Sequence, residues 1–146
     1  MKQLRNKQSG FTLIEVVLVL AIGALIILMA VLAFGGASRS RRDTARTSLA
    51  GTIQASVEQA ASNTGGTYPT AAEFTTLASN NKWADPSSGT AGVVAGTAAQ
   101  SSAGIVYVSG GSCDADGKKL ATTSGGTGYA VIYYQETTKS TVCKSN

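Results

Sequence analysis

The chain has 146 residues, enough for one domain, and carries twelve Lys and Arg against eight Asp and Glu, a formal charge of +4. Lys2, Arg5 and Lys7 fall within the first ten residues; without those three the twelve cations become nine, so the basic balance belongs to the N-terminus and argues little for a nucleic-acid or anionic-lipid surface. Histidine is absent and the acids are scattered singly except at Asp114 and Asp116, so no Ser-His or Cys-His pair can form, and neither an enzyme nor a cofactor or metal is expected.

Taken in chain order, the first feature is SGFTLIEVVLVLAIGALIILMAVLAF, Ser9 to Phe34. Val16 to Phe34 is 19 residues without a charge. At about 1.5 Å per residue that run nearly crosses a bilayer core of about 30 Å. Glu15 stands where the run begins, and an ionisable residue in such a place is costly, reads as functional and calls for a partner. A secretory signal peptide cut near Ala37 fits poorly, because the run exceeds the usual apolar region and Glu15 interrupts it. A plain transmembrane anchor fits the length but gives Glu15 no purpose. Arg39, Arg41, Arg42 and Arg46 follow the run, so charge counts on its two sides do not fix an orientation. These arginines read first as a solvated or headgroup-contacting helix face, with subunit pairing with acids such as Asp43, or DNA contact, as alternatives.

Ala45, Leu49, Ile53 and Val57 then recur every four residues and predict a narrow apolar helix face. It can continue the first helix to about Ser62, where Gly65 and Gly66 supply a stop, giving one helix of about 50 residues and about 75 Å. Thr70 and Glu73 predict a capping box opening a short second helix, with Phe74 and Leu77 inward. Pro86 to Ser102 is small and polar and predicts a surface loop. Gly104–Gly110 and Gly128–Glu136 are rich in β-branched and aromatic residues between glycines and predict strands, with KSTVC a third and KKLATT a fourth. Packed as an antiparallel sheet on the helix, they would bury Leu49, Ile53 and Val57. Trp83, Tyr133 and Tyr134 are expected in the thin core. The run CDADGKK begins like a calcium loop but lacks the closing glutamate, and a β-turn with Gly117 at positive φ is the expectation.

Cys113 and Cys143 lie 30 positions apart, and two thiols alone make a poor zinc site. In an exported chain they read as one disulfide, with two buried free thiols as the alternative.

KQSGFTLIEVVLVLAI resembles the N-terminus of a type IV prepilin: a basic leader, Gly10, then Phe11, TLIE and a long apolar helix. The resemblance implies that a membrane prepilin peptidase cuts between Gly10 and Phe11 on the cytoplasmic side and methylates the new Phe11 amine. It implies the α+β pilin fold: residues 1–10 as leader, 11–36 as the transmembrane and assembly half of a long helix, 37–64 as its amphipathic half, and 65–146 as a head with an antiparallel sheet, a variable loop and a disulfide-bounded C-terminal region. It further implies a homo-oligomeric helical filament, raised from the cytoplasmic membrane to the cell surface by a pilus assembly machinery, and serving motility, adhesion or DNA uptake. Glu15 would be the assembly residue. A pseudopilin of a type II secretion system and a minor or competence pilin binding DNA through Lys118, Lys119, Lys139 and Lys144 are the alternatives. Core pseudopilins typically lack the disulfide and carry calcium. Many major pilins carry a proline in the apolar helix; here none occurs between Phe11 and Pro69, leaving Gly23, Gly35 and Gly36 as the weak points.

Overall fold

A computed structural model describes residues 10–89, 92–96, 104–122 and 127–146. Of the leader only Gly10 is among them; residues 90–91 and 97–102 of the expected loop, and Thr123 of the fourth expected strand, lie outside. The elements run α1 (Leu13–Asn63), α2 (Ala71–Asn81), β1 (Val93–Ala95), β2 (Ile105–Ser109), β3 (Ser112–Cys113), β4 (Leu120–Thr122), β5 (Tyr129–Gln135) and β6 (Ser140–Ser145). The chain divides into two compact units, Met1–Ala37 and Ser38–Asn146. A long N-terminal apolar helix and a small, mostly antiparallel sheet make this the expected α+β class.

In the first unit α1 keeps its hydrogen bonds internal and buries none of its large side chains. It is helical without a break through Gly23, Gly35 and Gly36, none of which meets anything where a Cβ would stand. In the second unit α1 turns Asp43, Arg46, Ala50, Ile53, Val57 and Ala61 inward, spaced by three or four residues as one helix face requires. The expected face is therefore corrected: Ile53 and Val57 hold, but Leu49 is half-buried and Ala45 is exposed. The stripe passes through two charged residues, which a search for apolar periodicity skips. Gly65 (φ +77°) and Gly66 (φ +98°) end the helix, and the Gly66 N–H donates to the Ala61 carbonyl at 2.7 Å. Helix α2 opens on the expected capping box, in which the Thr70 N–H donates to Glu73 Oε2 at 2.8 Å and the Glu73 N–H to Thr70 Oγ1 at 3.4 Å.

The main sheet has the order β1-β2-β5-β6. The pairs β2–β5 and β5–β6 are antiparallel, but β1 runs parallel to β2, so an all-antiparallel sheet is corrected. The expected loop at 86–102 is corrected with it, since it contains β1 and buries Val93. Small residues permit this. Gly104 (φ +115°) sits against the Gly92 backbone, where any Cβ would collide. Segment KKLATT contributes β4, which pairs with β3 in a separate two-stranded sheet.

One face of the main sheet packs Ile105, Tyr107, Tyr129, Val131 and Tyr133 against Ile53, Val57, Phe74 and Trp83. The other face packs Val106, Val108, Ala130, Ile132 and the β6 residue Cys143 against Cys113 and Leu120 of the β3–β4 hairpin. Strands β2 and β5 are thus covered twice, which explains why they read as continuous apolar runs instead of alternating ones. Phe74 stacks on Tyr107 with ring centroids 4.2 Å apart. The Tyr107 hydroxyl donates to the Pro69 carbonyl at 2.7 Å. Tyr134 is only partly buried.

Candidate functional site

The expected processing and assembly residues lie together at the start of α1. Gly10 and Phe11 precede the helix, and the Phe11 side chain is 88% exposed. Glu15 is third in the helix after Thr12, and that spacing closes a ring of hydrogen bonds. The Thr12 N–H donates to Glu15 Oε2 at 2.9 Å, the Thr12 hydroxyl to the same oxygen at 2.7 Å, and the Glu15 N–H to Thr12 Oγ1 at 3.4 Å. This is the geometry of the Thr70–Glu73 box over again. The Thr-x-x-Glu signature is present in TLIE as in TAAE, but next to an apolar run it reads first as a membrane motif. Glu15 therefore has a partner inside its own chain, and its Oε1 accepts no bond among the described residues. Beyond it, Val16 to Phe34 present leucine, isoleucine, valine and methionine side chains that are about half exposed or more. An 18-residue window of α1 reaches a mean hydropathy of 3.2 with none of it buried, making α1 the one helix among the described residues long and apolar enough to cross a membrane.

A second polar constellation sits in the head, and sequence reading missed it. Arg46 is fully buried and spends every guanidinium N–H. Its Nε donates to Asp85 Oδ2 at 2.7 Å, Nη1 to Glu136 Oε1 at 2.9 Å and to the Tyr134 carbonyl at 3.3 Å, and Nη2 to Ser87 Oγ at 2.6 Å and Asp85 Oδ1 at 3.3 Å. Arg42 grips Glu136 as a fork at 2.6 to 3.1 Å. Asp43 accepts the backbone N–H groups of Glu136 and Thr137, each at 2.8 Å. One turn of α1 thereby holds both the loop after α2 and the β5–β6 turn. Burial pushes the Asp85 carboxyl up, but hydrogen bonds from Arg46 and Ser87 outweigh it and hold the group well below the ordinary aspartate range. Arg42 does the same for Glu136, against a smaller cost of burial. The reading of these arginines as a solvated face is thus corrected for Arg42 and Arg46, and the pairing with acids is made within the subunit. Arg39 and Arg41 remain exposed.

Cys113 and Cys143 are joined as a disulfide with their Cα atoms 5.6 Å apart, tying β3 to β6. Asp114 serves its own loop, its Oδ1 accepting the N–H groups of Lys118 at 2.8 Å and Lys119 at 3.0 Å, while Gly117 takes φ +63° as a turn requires. No cluster of three or more metal-capable side chains occurs among the described residues. The four lysines weighed for DNA contact do not share a face. Lys144 stands opposite Val131 on the α1 side of the sheet, whereas Lys118 and Lys119 lie in the β3–β4 loop across its other side, and Lys139 is in the β5–β6 turn.

Residues 5–31 match the family model described as the prokaryotic N-terminal methylation motif. No match was found among curated proteins or among solved structures. Gly10, Phe11, the capped Glu15 and the exposed apolar helix as far as Val31 fall inside the matched segment, so the chain carries the type IV prepilin signature at its N-terminus.

Proposed function

We propose that this chain is a structural subunit of a type IV pilus, cut between Gly10 and Phe11, N-methylated at Phe11, and polymerised through α1 into a surface filament. The carrying observation is the unburied apolar length of α1, headed by a carboxylate with one oxygen to spare. Such a helix needs lipid before assembly and neighbouring copies of itself afterwards, and head-to-tail packing of like helices gives an open helical polymer. Cleavage would leave an amine on Phe11, mostly protonated at neutral pH given an ordinary pKa near 7.7 to 8.0. Glu15 Oε1, which accepts no bond among the described residues, can meet that cation from an adjacent subunit. A buried pair of this kind fixes register better than it adds stability, because a slipped neighbour strands a charge. The subunit acts as scaffold and not as catalyst.

The disulfide, and an Asp114 already engaged by its own loop, favour a pilus subunit over a calcium-carrying secretion pseudopilin. DNA contact is the least supported of the readings, its lysines being divided between faces of the sheet. The test is negative-stain microscopy of shed surface fibres with intact mass spectrometry of their main band. Fibres built of a chain starting at an N-methylated Phe11 support the proposal; a chain starting near Ser38 refutes it.

A further inference from the structure

We propose that Arg39 and Arg41 bind the phosphates of anionic phospholipids while the subunit is held in the membrane, a proposal that rests on α1 spanning a bilayer. Four arginines follow the apolar run, and the fold divides them. Arg42 and Arg46 are drawn into the head by Glu136 and Asp85. Arg39 and Arg41 are exposed and have no carboxylate partner among the described residues. The only acid one helical turn from either is Asp43, four residues after Arg39, and both its oxygens already accept the Glu136 and Thr137 N–H groups. Glu136 in turn is committed to Arg42 and Arg46. Among the described residues the two leftover cations have no carboxylate partner within their own fold.

Their place along α1 suggests where the anion comes from. They lie five and seven residues beyond Phe34, the last large side chain of the apolar run, which is about 8 to 10 Å of helix. The polar layer beyond a bilayer core is about 5 to 8 Å deep on each side. Helical side chains lean toward the N-terminus, here toward the apolar run, and an arginine stem lies readily along apolar surface with its head among phosphates. Two residues apart on a helix means about 200° of rotation, so the pair cannot grip a single phosphate. A bilayer surrounds a spanning helix, so each can take its own lipid. The effect is a retaining collar at the upper end of the span, released when the subunit leaves for a filament.

The test uses the full chain reconstituted into vesicles of phosphatidylcholine with phosphatidylglycerol. Electron paramagnetic resonance of spin-labelled forms of each lipid reads their ratio in the layer around the protein. Wild-type chain should prefer phosphatidylglycerol. Arg39→Gln with Arg41→Gln should lose that preference by roughly 5-fold per arginine, with high salt weakening it in the wild type. Lys118→Gln with Lys119→Gln removes the same charge from the head and should leave the preference intact. A preference unchanged in the arginine variant, or lost equally in both, overturns the collar. A chain that washes off the vesicles in carbonate overturns the spanning helix, and the collar with it.

Discussion

Arg46→Met tests the head's polar lock directly. Methionine fills much of the arginine's volume, so the change removes charge and donors more than it opens a cavity. Asp85, whose side chain has no exposure, loses its ion partner, and Glu136 loses one of two. Removing one member of a buried ion pair costs about 3 to 5 kcal/mol. The low end is expected here, because Asp85 Oδ1 keeps the N–H and hydroxyl donors of Ser87 and Ser88 at 2.7 to 3.1 Å, and Glu136 keeps Arg42. A loss of about 3 kcal/mol lowers the urea midpoint by about 1 to 3 M for a domain of this size. The assay is urea unfolding of the oxidised chain in detergent, followed through Trp83, the sole tryptophan and a core residue. Arg46→Met with Asp85→Leu should recover part of the loss, since paired apolar replacement of buried ions is often near neutral. A single variant costing under about 1 kcal/mol, or a double variant whose losses simply add, refutes the lock.

Glu15→Val should insert into membranes as well as wild type but give few or no filaments, counted after shearing at matched subunit level. Glu15→Gln separates the roles of this residue, because glutamine can still close the cap to Thr12 but carries no charge; wild-type filament yield from it would show the cap, not the charge, to be what assembly needs, and Glu15→Asp should fall between. Reducing Cys113–Cys143, which closes 30 residues, should cost the head about 3 to 4 kcal/mol, and free-thiol labelling of both cysteines in native extracellular protein would contradict the pairing. Asp43, Asp85 and Glu136 have depressed pKa values, so their stabilisation is complete above the unfolded values near 4 and is lost as pH falls below them. The urea midpoint should therefore be flat from pH 5 to 8 and drop below pH 4. In alkali the sign reverses: burial pushes Tyr107 up to about 12, so its contribution is complete below about 10 and is lost as pH rises from there.

Local signals in the sequence carried the helices and the strand pairs that chain order makes adjacent. Glycines 65 and 66, the Thr70–Glu73 cap and the apolar runs of β2 and β5 each specify their element within a few residues. What escaped was non-local. Val93–Ala95 is too short and too glycine-flanked to announce a strand, and its parallel partner β2 is chosen by the close backbone contact of Gly92 with Gly104. Arg46 is the sharper case. Four arginines within eight residues after a membrane-like run look alike in sequence, and only Asp85 and Glu136, 39 and 90 positions away, decide that one of them is a core residue. At the N-terminus the residues of interest are plain in the sequence, but their mutual bond is not, because the spacing that caps a helix is also part of a larger motif.

That bond bears on maturation. Among the described residues helix α1 takes its first hydrogen bonds from Thr12, two residues past Gly10, and its cap uses Thr12 and Glu15. A cut between Gly10 and Phe11 would therefore fall outside every bond that defines the helix onset among the described residues. On the bonds of the described residues, the apolar helix would need no refolding if a leader were removed there. Processing would then alter what the end of the helix displays, an amine in place of a peptide and its basic tail, while the rod behind it stays as it was. Under the proposed processing, storage and readiness would be two chemical labels on one helix, and a peptidase alone could set the timing of assembly.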